Sequence, residues 1–261
     1  MLATQRQSTI MLVLRRQGAV RVSELADELG VSEMTIRRDL DSLAGAGLIE
    51  KVHGGATLVG GTSTYEPGFL TKSEQQRPEK AAIAATAAAM VQPAMAVGLS
   101  AGTTTWTLAQ HLKSIPDITV VTNSIRVANV FHDDPGQYQT IVVTGGVRTP
   151  SDALVGPVAA LGLQSMHLDL VFMGVHGIDV EAGLTTPNFL EADTDRELLR
   201  AGRRLVVLAD HTKVGVIGFS SIAVLDQVDV LIIDAGLSAD DEKMLHEHVR
   251  KLIIASQESS R

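Results

Sequence analysis

Apolar and polar positions fall into three regimes along the chain. Up to residue 43 the apolar residues recur at three- and four-residue spacing, which predicts helices. Ile10 and Leu14 mark a first helix over about 4–17, closed by Gly18. The stretch 22–43 then reads as two short helices joined by a tight turn. In the first of these, Ser23 is a candidate cap, Leu25, Ala26 and Leu29 share a face, and Gly30 supplies the left-handed residue that ends it. Ser32 restarts the chain as the next cap, and Ile36, Leu40 and Leu43 turn inward, leaving Glu33, Thr35, Arg37, Arg38 and Asp41 on other faces. From 48 to 59 the period changes to two. Residues 48–52 and 56–59 read as strands around a turn at His53-Gly54-Gly55, forming a wing beside the helix pair. Beyond Pro93, short continuous apolar runs at 95–99, 118–122, 140–144, 170–175, 205–209 and 230–234 alternate with amphipathic helical stretches. Such runs predict strands buried on both faces in a largely parallel sheet, so the fold class is α/β.

The glycine- and threonine-rich run 60–64 has linker composition and separates the two patterns. The expected organisation is a winged helix-turn-helix head over 1–59, a linker and bridging segment over 60–78, an effector-sensing and oligomerisation domain over 79–254 and a tail over 255–261. An alanine-rich helix over about 79–91 opens the second domain, and the capping box at Ser238 and Asp241 predicts a last helix reaching about residue 254.

Chemistry in the head points to DNA. Thr35 can meet a thymine methyl group or a phosphate, and Arg37 and Arg38 can reach a guanine edge in the major groove or the backbone. Ser32 and Met34 in the same first turn, with Lys51 and His53 in the wing, complete the candidate DNA-binding set. The alternative is a solvated helix in an ordinary helical hairpin, with His53 a locally bonded turn residue; Arg15 and Arg16 are equally open to phosphate contact or simple solvation. The net charge of -8 argues at first against a nucleic-acid partner. Its distribution removes the objection: seven basic residues balance seven acidic ones up to Thr57, and the excess acidity lies downstream. The absence of cysteine excludes disulfides and thiolate metal sites. His246 and His248 lack the i, i+4 spacing of a zinc helix, and no cofactor is indicated. No apolar run reaches the length of a membrane span and residues 1–18 lack a signal-peptide layout, so a cytoplasmic location is expected.

The run Val31-Ser32-x-x-Thr35-Ile36-Arg37-Arg38-Asp39-Leu40, followed by His53-Gly54-Gly55-Ala56, resembles the head of DeoR-family bacterial transcription regulators. The likeness extends over nearly the whole chain. Lys51 and Lys72 stand where the family usually has arginine, which keeps the charge and loses the planar fork.

In an open parallel sheet, ligands collect at the carboxyl ends of the strands. There the chain carries Ser100-Ala101-Gly102-Thr103-Thr104-Thr105 before a helix, a candidate anion cradle built from backbone N–H groups at a helix N-terminus; a purely structural cap is the alternative. Asn123-Ser124, Gly145-Gly146, Gly174 to Gly177 and Asp210 to Lys213 follow later strands, with His176 and His211 as candidate cleft histidines. These strand ends resemble the DeoR-type sensor domain, which is similar in fold to ribose-5-phosphate isomerase and coenzyme A transferases. The resemblance implies a phosphorylated sugar as effector. Ser100, Gly102, Thr103 and Thr104 would hold phosphate; Asn123, Ser124, Gly145, Gly146 and Gly174 would line the cleft; Asp169, Glu191 and Lys213 would meet the sugar. Strand capping by Asp169 and a helix first-turn role for Glu191 remain alternatives.

The expected function is a DNA-binding, effector-controlled regulator, by resemblance a repressor of carbohydrate genes, acting as a homo-oligomer on operator DNA. The chief alternative is a sugar-phosphate isomerase or deaminase with an added head, since Asp169, Glu191 and Lys213 are the right types for proton transfer. A constitutive DNA-binding architectural protein is a third reading. Trp106, the single tryptophan, is expected to pack rather than stack on a ligand.

Overall fold

The computed structural model describes residues 3–17, 19–46, 48–52, 54–58, 68–132 and 139–256. The chain divides into two compact units, Met1–Gly68 and Phe69–Arg261.

In the first unit the order is α1 (Ala3–Gln17), β1 (Ala19–Arg21), α2 (Val22–Leu29), α3 (Glu33–Gly45), β2 (Ile49–Val52) and β3 (Gly55–Leu58). Ile10 and Leu14 from α1, Leu25 from α2, Ile36, Leu40 and Leu43 from α3 and Ile49 from β2 close a single apolar core. Gly30 ends α2 at φ 62°, a left-handed conformation costly for a side chain with a Cβ. Ser32 caps α3 by accepting from the Thr35 amide at 3.2 Å. One expectation changes. Ser23 is not the cap of α2: Arg21 holds that position without a side-chain bond, and the Val22 amide instead donates to the Gly54 carbonyl. The reason is β1, too short to announce itself in the sequence, which pairs with β3 in an antiparallel sheet of order β1-β3-β2. That pairing brings the wing turn to the start of α2.

The second unit opens with α4 (Phe69–Glu74) and α5 (Arg77–Ala88), then runs through β4 (Ala96–Leu99), α6 (Thr103–Leu112), β5 (Thr119–Thr122), α7 (Ile125–His132) and β6 (Thr140–Val143). A hairpin of β7 (Val147–Arg148) and β8 (Leu154–Val155) precedes α8 (Pro157–Leu163) and β9 (Leu170–Gly174). Next come β10 (Gly177–Asp179), β11 (Gly183–Thr186), α9 (Phe189–Ala201), β12 (Leu205–Ala209), β13 (Ser220–Ala223), β14 (Val230–Asp234), α10 (Ala239–His248) and β15 (Leu252–Ala255). Seven strands form one sheet of order β15-β14-β12-β9-β4-β5-β6, every pairing parallel. Ile83 of α5, Leu108 of α6 and Val127 of α7 pack in one apolar cluster, and Leu163 of α8, Leu198 of α9 and Leu245 of α10 in another. Strands β10, β11 and β13 make a small antiparallel sheet.

The last helix stops at His248, and residues 252–255, expected at its end and in the tail, form the seventh strand beside β14. Three apolar residues in succession suit either period, and only pairing with β14 decides between them. Phe69 is buried, so α4 belongs to the second unit rather than to a bridging segment. Strand β6 leaves Thr140 and Val143 exposed because it is the edge of the sheet, contrary to the expectation of burial on both faces.

From β4 the chain proceeds through β5 to β6 on one side, then returns to place β9, β12, β14 and β15 on the other. The switch point therefore lies between the carboxyl ends of β4 and β9, where such sheets open a crevice.

Candidate functional site

In the head, α3 buries Ile36, Leu40 and Leu43 and turns Met34, Arg37 and Arg38 outward. Arg37 donates to Glu33 Oε2 at 2.9 Å across one helical turn, a pair exposed on both sides. Arg38 is exposed with no partner among the described residues. The Thr35 hydroxyl lies 2.9 Å from Ser32 Oγ, so the first turn is locked from within. Lys51 pairs with Asp41, which joins β2 to the far part of α3. His53 lies outside the described residues. Sequence reasoning passed over Asp39, which is buried and receives the Arg6 guanidinium from α1. That pair fixes the supporting helix to α3, and its only sequence signal is a carboxylate on the apolar side of an amphipathic helix.

Most of the expected effector residues follow the ends of five strands, while Glu191 lies in the first turn of α9 and Asp169 precedes β9. Gly102 is the N-cap of α6 and offers no side chain, while Thr103, Thr104 and Thr105 fill the buried first turn. Thr105 Oγ1 donates to the Ser100 carbonyl at 2.7 Å and holds the loop from behind. No amide from Gly102 to Thr105 is hydrogen-bonded to another described residue; the bonding at this turn begins with the Trp106 amide on the Gly102 carbonyl. Ser32, Asn188 and Ser238 cap α3, α9 and α10, whereas α6, like α2, α5 and α8, has no side-chain cap. Ser100 Oγ accepts from the Gly174 amide at 3.0 Å, tying β4 to β9 at the switch point. Asn123 Oδ1 accepts from the Ala101 amide at 2.8 Å, and Ser124 Oγ accepts from the Val127 amide at the start of α7. Both side chains are buried and hold the ends of β4 and β5 in place.

Gly145 and Gly146 follow β6 with φ of 73° and 118°. A Cβ at Gly146 would lie 2.5 Å from the Val155 carbonyl oxygen, so this position accepts only glycine. Beyond it, the 149–154 turn meets the cleft because the Leu154 amide donates to the Asn123 carbonyl. From this turn Thr149 and Ser151 donate to Glu191 Oε1, at 2.7 Å and 2.5 Å. Thr186 donates to Glu191 Oε2 at 3.5 Å, and Asn188 caps the helix that carries the carboxylate. Neither Thr149 nor Ser151 was singled out from sequence, since nothing local distinguishes them from ordinary turn hydroxyls.

At the end of β12, Lys213 closes a short turn capped by Asp210. It shares its surroundings with Lys80, which sequence reasoning did not single out. Lys80 is buried, and its ammonium donates to the carbonyls of Lys72 and Gln75, each at 2.6 Å. Burial lowers its pKa to about 8; the Asp210 charge opposes that shift, Lys213 and Lys72 add to it, and Glu79 opposes it. An ammonium has three N–H donors, so one of them has no acceptor among the described residues. Next to Asp210, His211 Nδ1 lies 2.8 Å from the buried Asp234 carboxylate.

Asp169 does not join the cleft. It precedes β9, and its Oδ2 accepts from the Ala96 amide at 2.9 Å at the amino end of β4, with Arg203 3.9 Å away. One strand length, about 10 Å, separates that edge from Ser100. Its role is the capping one. Trp106 packs at right angles on Phe69, with centroids 5.8 Å apart.

Among the described residues, no helix is long and apolar enough to cross a membrane. The DeoR-like helix-turn-helix domain family matches residues 6–61, and the DeoR C-terminal sensor domain family matches residues 75–235. The HTH-type transcriptional regulator GolR of Listeria innocua is 37% identical over 88% of this chain and 90% of its own length. The glycerol-3-phosphate regulon repressor of Escherichia coli is 28% identical over 94% of this chain and 96% of its own. A D-ribose-5-phosphate isomerase structure, in complex with phospho-erythronic acid, overlays on 52% of each chain at 18% identity and a TM-score of 0.39. Relatives matched along nearly their whole length are named as regulators, which supports the regulator reading over the isomerase one. A head built to expose α3 and a sensor unit open at its strand ends are thus the two halves of one architecture, and the chain belongs to the DeoR family of DNA-binding transcriptional regulators.

Proposed function

We propose that the sensor unit binds a phosphorylated sugar or polyol at the carboxyl edge of its sheet, and that occupancy controls operator binding by α3 of a homo-oligomer in the cytoplasm. The open, buried N-terminus of α6 carries this reading: four backbone donors at the positive end of a helix suit a phosphate group. Lys80 and Lys213 add cationic charge at the end of β12, two strands or about 10 Å from β4. Glu191 and its hydroxyl partners supply acceptors and donors for a polyol. Gly145, Gly146 and Asn123 form the remaining floor. The name of the Escherichia coli relative, which refers to glycerol 3-phosphate, supports the same ligand class. On the DNA side, Arg38 is the foremost base or phosphate contact, Arg37 joins it on release from Glu33, and Ser32, Met34, Thr35 and Lys51 flank them. Two heads on a symmetric oligomer would read two half-sites.

The test is fluorescence anisotropy of the full chain on DNA from its own upstream region, at fixed salt, with a panel of sugar phosphates and product analysis. A sugar phosphate that shifts the binding curve and is recovered unchanged supports the reading. Specific DNA binding that no member shifts refutes the sensor assignment.

A further inference from the structure

The buried Glu191 carboxylate and the entrance of the chain into the sensor unit are connected by one continuous series of polar and aromatic contacts. Thr149 and Ser151, which donate to Glu191, precede Asp152 in the same turn. Asp152 has φ of 64°, a left-handed conformation rare for a residue other than glycine, and its amide donates to the Thr149 carbonyl. Such a conformation persists only where the surroundings over-determine it. Here Arg126 Nε donates to one carboxylate oxygen and Arg148 Nε to the other, each at 2.6 Å. Burial disfavours the ionised Asp152, but the bonds and charges of the two arginines outweigh it and hold the carboxyl below its ordinary pKa. The same Arg126 guanidinium lies over the Phe69 ring, 5.0 Å from its centroid, and Phe69 packs edge-on against Trp106 of α6. Phe69 is the first residue of the sensor unit.

We propose that Arg126 and Asp152 are positioning residues that couple occupancy of the Glu191 end of the cleft to Phe69 and helix α4, where the chain enters the sensor unit. This rests on the effector reading above. Ligand hydroxyls that bond Glu191 compete with Thr149 and Ser151 for the same oxygens. Loss of those two bonds frees the 149–153 turn, and its left-handed residue relaxes. The Asp152 carboxylate then leaves Arg126, which loses the partner that holds it over Phe69. A second branch reaches the same aromatic pair through α6, because Trp106 directly follows the open amides. Both ends of a bound sugar phosphate thereby act on one buried ring.

Hydrogen exchange in the full chain without ligand or DNA tests the coupling independently of the effector's identity. Thr149→Val and Asp152→Asn are each expected to raise amide exchange tenfold or more in Phe69–Glu74 as well as in 149–154. Thr149→Ser, which keeps the hydroxyl, should leave α4 unchanged, as should Arg196→Ala, which lies on the same helix as Glu191 but bonds Ser221 instead. Exchange in α10 serves as the reference for global destabilisation, and fluorescence of Trp106, the sole tryptophan, reports on the Phe69 contact in parallel. Faster exchange confined to 149–154, with α4 and Trp106 unaltered, overturns the proposal. So does an equal rise in α4 and α10, since that reports only lost stability. If coupling holds here but no sugar phosphate shifts DNA binding, the effector reading fails and the contact series stands.

Discussion

Raising the pH from 7 to 9 should weaken anion binding at the sensor site through one side chain, Lys80. With its pKa lowered to about 8, the buried amine is about 90% charged at pH 7 and about 10% charged at pH 9. A phosphate monoester is already a dianion over this range, because its second pKa is about 6. If the charged ammonium is the binding form, the apparent Kd rises about tenfold between pH 7 and 9. At pH 8, binding should draw in up to about half a proton per site, as the anion lifts the amine back towards its ordinary value. The folding side has the opposite sense. Lys80 has a lower pKa folded than unfolded, so the unfolded chain holds more protons between about 8 and 10.5, and stability from this group rises with pH across that window. Below pH 8 the full penalty of the buried charge applies, about 3 kcal/mol for a shift of this size. Titration calorimetry in buffers of different ionisation enthalpy measures the proton uptake directly, using whichever sugar phosphate the anisotropy panel identifies. Lys80→Met should bind more weakly and lose the pH dependence. A wild-type Kd that is flat from pH 7 to 9, or an unchanged slope in Lys80→Met, would refute the assignment of Lys80 to the anion.

Three further outcomes are expected. Gly102→Asp places a carboxylate at the open end of α6, where it favours the helix dipole but repels phosphate; sugar-phosphate binding should fall more than a hundredfold while operator affinity and melting temperature hold. Arg38→Ala should reduce the slope of log affinity against log salt by about 1 if it meets phosphate, or cost about 1–3 kcal/mol at one base pair if it meets a guanine edge; an unchanged operator isotherm excludes both. Ile36→Ala removes a fully buried side chain from the head, with an expected loss of about 2–5 kcal/mol by chemical denaturation and collapse of operator binding, and sensor-unit ligand affinity should not change.

The sequence by itself determined most of the local structure. Both head helices, the Gly30 end, the Ser32 cap and the first six strands of the parallel sheet follow from hydrophobic period and turn chemistry, which act within a few residues. Most of the candidate cleft was legible for a related reason: in a parallel sheet the residue after each strand lies at one edge whatever the strand order. By that rule Asp169, which precedes its strand, belongs to the other edge, and only the family resemblance suggested otherwise. Tertiary structure decided what depends on partners remote in sequence. β1 and β15 exist because β3 and β14 pair with them, since runs this short specify no period of their own. Lys80 becomes an ammonium of lowered pKa, with two of its three donors bonded, through the carbonyls ending α4 and the charges beyond β12. Thr149, Ser151 and Asp152 gain their significance from Glu191 and Arg126, 40 residues downstream of Ser151 and 26 residues upstream of Asp152. Burial sets the energy of such groups, and burial is a property of the assembled sheet and helices rather than of any single segment.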